Sequence, residues 1–300
     1  MSEAPRPSPS APAPSSARQG VIYGLLAYTF WGCVPVYFHA VSAVAPLEVL
    51  AHRVVWSAVF LLLFTWRRGR AGDLRAALAD RRTVLTLTAT TLLIATNWYT
   101  FIWTVTTRQI LQSSLGYYIN PLVSVLLGFL FLGERLRPAQ RAAVALAAAA
   151  VVYLGVSYRQ VPHLALVLAF SFGIYGLLRK RARADALIGL TVETLLLLPV
   201  ALAFLLWRHG AGELAFGHGA ARLGLSAGRA AGLDALLVAA GLVTAVPLLW
   251  YANAVRRLRL ATIGFLQYVS PSLQFLLAVA AYGESFRHAD SVAFACIWAA

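Results

Sequence analysis

Three charged side chains interrupt otherwise apolar runs of this chain: Glu48, Arg53 and Glu193. A charge at the centre of a helix in hydrocarbon costs about 2.5–3.5 kcal/mol on insertion scales, so such groups mark solute paths, relays and gates. Arg53 and Glu193 each fall eight residues into an apolar run, 46–66 and 186–207, at matching places in the two halves of the chain. Seven rises of about 1.5 Å put each about 10 Å inside its own membrane face. Opposite signs at matching depth predict that the two face one central cavity and sense each other's charge. The alternative is that each pairs separately with a carbonyl or a polar neighbour. Glu48 lies nearer the end of its run, where it either reaches the headgroups or, with Glu193, serves as a coupling carboxylate.

A second set of polar residues is uncharged. Asn97, Trp98, Tyr99 and Trp103 lie in the run 83–106, and Gln112, Ser113, Ser114, Tyr117, Tyr118 and Asn120 in the first half of 111–132. Gln267, Tyr268, Ser272 and Gln274 lie in 260–282. Aromatics interleaved with amides suit a pocket that stacks a flat or amphiphilic solute and hydrogen-bonds its polar edge. They also suit helix-to-helix adhesion, where interhelical hydrogen bonds average about 0.6 kcal/mol. The substrate pathway is therefore expected at Arg53, Glu193, Asn97, Trp98, Tyr117, Asn120 and Gln267.

Catalysis in a membrane needs clustered His, Asp or Glu at one interface, and the 11 acids here are dispersed. The 6 histidines lack ligand spacing, so no metal is expected. No Gly-rich phosphate loop is present to hydrolyse ATP, so no cofactor is expected, and an ion or proton gradient, or the solute gradient itself, would supply the energy.

The elements that must position these groups follow from composition. Sixty per cent of the 300 residues are hydrophobic and 12% are charged, a balance that makes the bilayer the solvent. Crossing about 30 Å of hydrocarbon takes roughly 20 residues of helix. Runs of that kind lie near 19–40, 46–66, 83–106, 111–132, 138–157, 162–179, 186–207, 232–255 and 260–282. A tenth begins near 288 and reaches Ala300 too soon to span, so the last helix is read as truncated or as a half-length segment. With the N-terminus in the cytoplasm, Lys and Arg favour the inside connections three to one, which explains the net charge of +14 by topology and excludes nucleic acid as a partner. Residues 1–17, rich in Pro, Ser and Ala, are expected to be a disordered cytoplasmic tail. The connection 208–231 reads as a mobile outer loop, Trp66 and Trp207 as interface anchors, and Cys33 and Cys296 as small buried hydrophobes.

One motif recurs 150 positions apart: Pro121 with Gly133-Glu134, and Pro271 with Gly283-Glu284. A third pair, Gly212-Glu213, has Val200 where the proline would stand. Five spans separate the copies, and an odd number forces the second half to insert upside down relative to the first. Pro121 and Pro271 remove backbone hydrogen bonds at equivalent places, so they are candidate hinges. The Gly-Glu pairs read as helix-end markers, with the glutamate at the surface.

Further residues carry a resemblance. Trp31-Gly32 with Pro35, Pro46-Leu47-Glu48, His52-Arg53, Asn97-Trp98, Ser114-Leu115-Gly116-Tyr117 and Ile119-Asn120-Pro121 are similar to the RarD proteins of the EamA branch of the drug/metabolite transporter superfamily. So are Ser171-Phe172, Tyr175-Gly176, Arg179-Lys180, Glu193-Thr194 and Gln267-Tyr268. The resemblance implies ten transmembrane helices and a bacterial inner-membrane permease, in a family associated by name with chloramphenicol sensitivity. Family members commonly carry Glu where Gln112 stands here, which moves the expected coupling role to Glu193 or Glu48.

The expectation is an all-α membrane protein of ten transmembrane helices in two inverted five-helix repeats, 18–159 and 160–300. It would move a small organic metabolite or drug by alternating access, with membrane lipid around it and a homo-oligomer open. The rivals are a non-transporting membrane receptor or assembly factor, and a membrane-embedded enzyme.

Overall fold

The computed structural model describes residues 14–107, 110–158 and 163–282. The described residues are helical: α1 (Pro14–Ala40), α2 (Pro46–Arg67), α3 (Ala71–Ala79), α4 (Arg81–Thr106), α5 (Ile110–Leu132) and α6 (Pro138–Tyr158). There follow α7 (His163–Arg181), α8 (Ala186–Gly210), α9 (Gly219–Leu223), α10 (Ala227–Arg257), α11 (Leu260–Gln267) and α12 (Val269–Tyr282). The short α3 and α9 sit in the two long connections, and α11 with α12 forms one span broken at Tyr268. Local chemistry sets the ends. Pro46 and Pro138 begin α2 and α6, where a missing N–H costs nothing. Asp185 caps α8 by accepting from the N–H groups of Leu187 at 2.9 Å and Ile188 at 3.1 Å. Gly133, at φ +64°, turns the chain out of α5.

Among the described residues, five helices are long and apolar enough to cross a membrane, spanning Ser16–Ala40, Pro46–Arg67, His163–Arg181, Ala186–Gly210 and Ala227–Arg257. Large apolar side chains stand outward on the bundle: Val156, Val200 and Leu206 are each about 70% exposed. A soluble monomer does not carry such a belt, whereas lipid matches it. Trp66 and Trp207 also stand exposed, each within a turn of its helix's end.

The helices pack in related pairs. Contacts join α1 to α10 and α4 to α7, α2 to α10 and α4 to α8, and α5 to α7 and α1 to α12. Exchanging α1, α2, α4 and α5 with α7, α8, α10 and the α11–α12 span turns each member of a couple into the other, while α2–α8 and α5–α11 map onto themselves. Glycines seat these crossings: a Cβ on Gly32 would stand 2.7 Å from Leu273, and one on Gly173 would stand 2.8 Å from Val123, the residue 150 positions before Leu273. Close approach through small residues is what holds helices together where lipid tails are as apolar as leucine. At the α5–α11 crossing, the Tyr268 hydroxyl donates to the carbonyl of Tyr118, its counterpart 150 positions earlier, at 3.5 Å.

Three details differ from the sequence reading. Cys33 is exposed rather than buried. The connection after α8 is packed rather than loose: Ala215 and Phe216 join a cluster with Val41, Val44, Val49, Leu233 and Leu237. Glu134 is buried, not at the surface, and its carboxylate accepts from the N–H groups of Leu260 at 2.8 Å and Ala261 at 3.1 Å, capping α11. Gly283-Glu284, Cys296, residues 1–13 and the tenth span lie outside the described residues.

Candidate functional site

A cavity of about 200 Å³ lies inside the bundle, lined from both halves of the chain. The first half supplies Tyr28, Trp31, Pro35 and Phe38 from α1, Arg53 from α2, Asn97, Trp98 and Phe101 from α4, and Gly116, Tyr117 and Asn120 from α5. The second half supplies Leu168 and Phe172 from α7, Thr244 and Leu248 from α10, Gln267 from α11, and Ser270, Pro271 and Gln274 from α12. Of the expected pathway residues, Arg53, Asn97, Trp98, Tyr117, Asn120 and Gln267 are brought together here.

Among the described residues of this wall, Arg53 is the one that is charged. Its Nε donates to Thr244 Oγ1 at 2.8 Å, and its guanidinium lies 4.8 Å from the Trp98 ring centroid and 5.6 Å from that of Phe38. Among the described residues it makes no salt bridge. Asn97 Nδ2 donates to the carbonyl of Leu168 at 2.9 Å and to Ser171 Oγ at 3.0 Å, so this amide ties α4 to α7 as well as facing the cavity. Gln274 Nε2 donates to the carbonyl of Trp31 at 3.1 Å. Gln267 Oε1 is buried and accepts from no donor among the described residues.

The two ends of the cavity differ. Toward the face where α1 ends, Tyr117 is 36% exposed. Toward the face where α1 begins, Tyr28, Tyr175 and Tyr251 are fully buried and close the bundle. Tyr175 and Tyr251 stack at 6.1 Å with their planes 14° apart, and Trp31 and Phe172 meet edge-on at 5.9 Å above them.

Glu193 lies beyond this plug and not on the cavity wall. Its carboxylate accepts from Thr90 Oγ1 at 2.6 Å and from the Tyr175 hydroxyl at 3.2 Å, and Arg179 Nε stands 3.6 Å away. The expected coupling to Arg53 is therefore corrected: each has its own partners. Each sits about 10 Å in from a different face, because α2 and α8 start on opposite sides, so a core of about 30 Å leaves about 10 Å between them. Arg179 is completely buried. It reaches Glu193 across the backbone of Gly189, where a Cβ would come within 1.9 Å of Nη1.

Glu48 does not reach the headgroups. It is completely buried, accepts from the N–H groups of Ala215 at 2.7 Å and Phe216 at 3.2 Å, and pairs with Arg208 at 3.2 Å. Its place is to fasten the loop before α9 over α2. The two prolines also differ. α5 runs through Pro121 without a break, whereas the α11–α12 span breaks at Tyr268, three residues before Pro271. Pro271 has no N–H for the carbonyl of Gln267 one turn earlier, and that is where the helix opens. The side chains of Gln112, Ser113 and Ser114 lie outside those described.

Polar contacts pin the closed face. Lys180 Nζ donates to the carbonyls of Val255 at 3.1 Å and Leu258, and Arg256 to those of Ala182 and Ala184. Arg70 pairs with Asp73 and Asp185, joining α3 to the start of α8. Burial pushes the Asp185 carboxyl up, but hydrogen bonds from Arg70 and from the first N–H groups of α8 outweigh it and hold the group below its ordinary value. Among the described residues, no three His, Cys, Asp or Glu side chains gather to hold a metal ion.

Sequence reasoning missed Thr244, Tyr251 and Arg179. Thr244 and Tyr251 carried no charge to single them out, and Arg179 was hidden in a basic run at a helix end.

This bundle has known relatives. The signature of the EamA-like transporter family matches residues 18–156, from α1 to α6. An uncharacterized transporter of Vibrio cholerae is 45% identical over 96% of this chain and 92% of its own length. Protein RarD of Escherichia coli is 42% identical over 94% of this chain and 92% of its own, and the chloramphenicol-sensitive protein RarD of Pseudomonas aeruginosa is 38% identical over 94% and 92%. A solved crystal structure, 19% identical, superposes with a TM-score of 0.68 over 94% of this chain and 95% of that one, and so shares the fold. With relatives of this identity along nearly its whole length, the chain belongs to the EamA-like transporter family and stands among its RarD proteins.

Proposed function

We propose that this membrane transporter carries a small organic solute across the bacterial inner membrane by alternating access, using the cavity between its two halves as the binding site. The observation that carries this reading is a central cavity walled by both halves, with Tyr28, Tyr175 and Tyr251 buried together at one end of it. A solute bound there is held between two faces of which one is shut, and rocking residues 18–159 against 160–300 would open the tyrosine end while closing the other. The excess of Lys and Arg supports placing the closed face in the cytoplasm, together with the N-terminus. The break beside Pro271 supports a hinge in the α11–α12 span, with Pro121 as its less bent counterpart.

Coupling to an ion or proton gradient is assigned to Glu193 rather than Glu48. Glu193 touches Tyr175 of the closure, so a change at its carboxylate reaches the gate directly, whereas Glu48 holds a loop.

The test is flux. Purified full-length protein in proteoliposomes should give saturable uptake and counterflow of solutes drawn from aromatic acids, amino acids, amines and amphenicols. Trp98→Ala should weaken uptake at equal protein. Solutes that stabilise the protein against heat but never cross the bilayer would instead favour a receptor.

A further inference from the structure

Among the described residues, no acid answers Arg53. Guanidinium groups buried in membrane proteins pair with carboxylates or carbonyls, because an isolated charge in a low-dielectric site is costly. Here Nε is engaged by Thr244 Oγ1, while the Nη nitrogens donate to no acceptor among the described residues. Stacking on Trp98 occupies one face of the guanidinium and leaves its N–H edge free. That edge matches the two oxygens of a carboxylate. Among the described residues no Asp or Glu lines the cavity, so no carboxylate there would pair with a cationic solute. A second, independent orphan is Gln267 Oε1, a buried acceptor with no donor among the described residues, on a residue 5% exposed. Between them the wall is aromatic, with Trp31, Trp98 and Phe172 offering ring faces and edges. The volume of about 200 Å³ equals that of about seven waters at about 30 Å³ each, which suits a single ring with short substituents.

We propose that the solute is a small organic anion: a carboxylate that docks on Arg53, a flat apolar body against the aromatic wall, and an N–H or O–H group that donates to Gln267. This rests on the reading of the cavity as the transport site and adds the chemical class. Cations are rejected by the arginine, and neutral analogues lose the charge-assisted hydrogen bonds.

The probe is a matched set: 4-hydroxyphenylacetate, its neutral amide 4-hydroxyphenylacetamide, the cation tyramine, and phenylacetate, which lacks the donor. Binding to purified full-length protein is read by quenching of tryptophan fluorescence and by thermal shift. The acid should bind about tenfold or more tightly than the amide, the scale of a hydrogen bond to a charged group. Tyramine should bind least, and phenylacetate more weakly than the hydroxylated acid. Arg53→Gln should erase the preference for acid over amide. Arg53→Lys, which keeps the charge and guards against a folding defect in the first variant, should retain part of it. Gln267→Leu should erase the difference between the hydroxylated and plain acids. Equal binding of acid and amide, tighter binding of tyramine, no binding by any of the four, or an acid preference that survives Arg53→Gln would each overturn the proposal. Flux separates its failure from that of transport: saturable transport of a neutral amphenicol without any preference for acids leaves the carrier standing and removes the anion class, whereas acid binding without flux does the reverse.

Discussion

Breaking the pair of Arg179 and Glu193 should destabilise the protein far more than removing both together. The side chains are 0% and 2% exposed, 3.6 Å apart, with Thr90 and Tyr175 also bonded to the carboxylate. Taking one partner from a buried pair leaves an uncompensated charge and costs about 3–5 kcal/mol, roughly two to nearly four powers of ten in the unfolding constant. Glu193→Met should lie at the upper end, because a stranded guanidinium keeps its charge, and Arg179→Met at the lower end, because a stranded carboxyl can take up a proton. The double replacement leaves no charge, but it orphans the Tyr175 hydroxyl at about 1–3 kcal/mol. It should therefore fall well short of the sum of the singles. Gly189→Ala should resemble Arg179→Met, since the new Cβ and the guanidinium cannot occupy the same place. Equilibrium unfolding of the full chain in mixed micelles, followed by far-UV circular dichroism, measures all four. A Glu193→Met cost under about 1 kcal/mol, or a double variant equal to the summed singles, would refute the assignment of a tightly coupled buried pair.

Stability should fall as the medium is acidified below about pH 4, because Asp185 is held below its unfolded value near 3.9 and its contribution is lost as pH drops through the folded value. Thermal melts against pH should show this, and Asp185→Asn should flatten that limb. Glu134→Ala frees two N–H groups at the start of α11, at about 0.5–2 kcal/mol. Hydrogen exchange should accelerate over residues 260–263 and stay unchanged in α8. Glu48→Gln weakens bonds made to a charged acceptor, worth about 1.5–3 kcal/mol each, and leaves Arg208 paired with Glu213 alone. Limited proteolysis should then cut within residues 211–226 faster than in the unaltered chain.

Apolar run length placed the spans within a few residues, since the cost of unsatisfied backbone in lipid leaves helices as the available solution here. It could not foresee the break at Tyr268, because Pro121 and Pro271 look alike in sequence and only the packing around each decides whether the helix opens. The amides and aromatics of the cavity were legible for a similar reason: Asn97, Asn120 and Gln267 are costly against lipid and so must face inward. The partners of the charges were not legible. Depth along a helix says how far Glu193 lies from its own face, but the pairing with Arg179 depends on the angle around α8 and on the space that Gly189 leaves open. Glu134 was misread because a glutamate after a helix-ending glycine is usually solvated, and nothing local reveals that the start of α11 lies across from it.

Among the described residues, the buried charges separate into those paired with an opposite charge or a helix end and the one that lines the cavity. Glu193 with Arg179, Glu48 with Arg208 and the two backbone N–H groups, and Glu134 with the start of α11 are each engaged across an element boundary near a membrane face. Each fixes an end of the bundle, and two of the three stand at the face the tyrosines close. Arg53 lines the cavity, and its Nη nitrogens donate to no acceptor among the described residues. Under the proposed alternating access, rocking would break contacts at the closed end, where Lys180, Arg256 and Arg179 grip carbonyls and Glu193, and those contacts would resist opening until something offsets their loss. A solute that engages Arg53 while resting on Trp31 and Phe172 presses on the rings that lie directly over Tyr175 and Tyr251. The same Tyr175 hydroxyl is bonded to Glu193, so the path from an occupied Arg53 to the latch runs through two ring contacts and one hydrogen bond. Tyr175→Phe keeps the rings and removes only the bond. It should leave binding of 4-hydroxyphenylacetate within about twofold while changing the rate at which bound solute is released to the closed face. Loss of binding and flux together in that variant would mean that the cavity and the latch are one site rather than two linked ones.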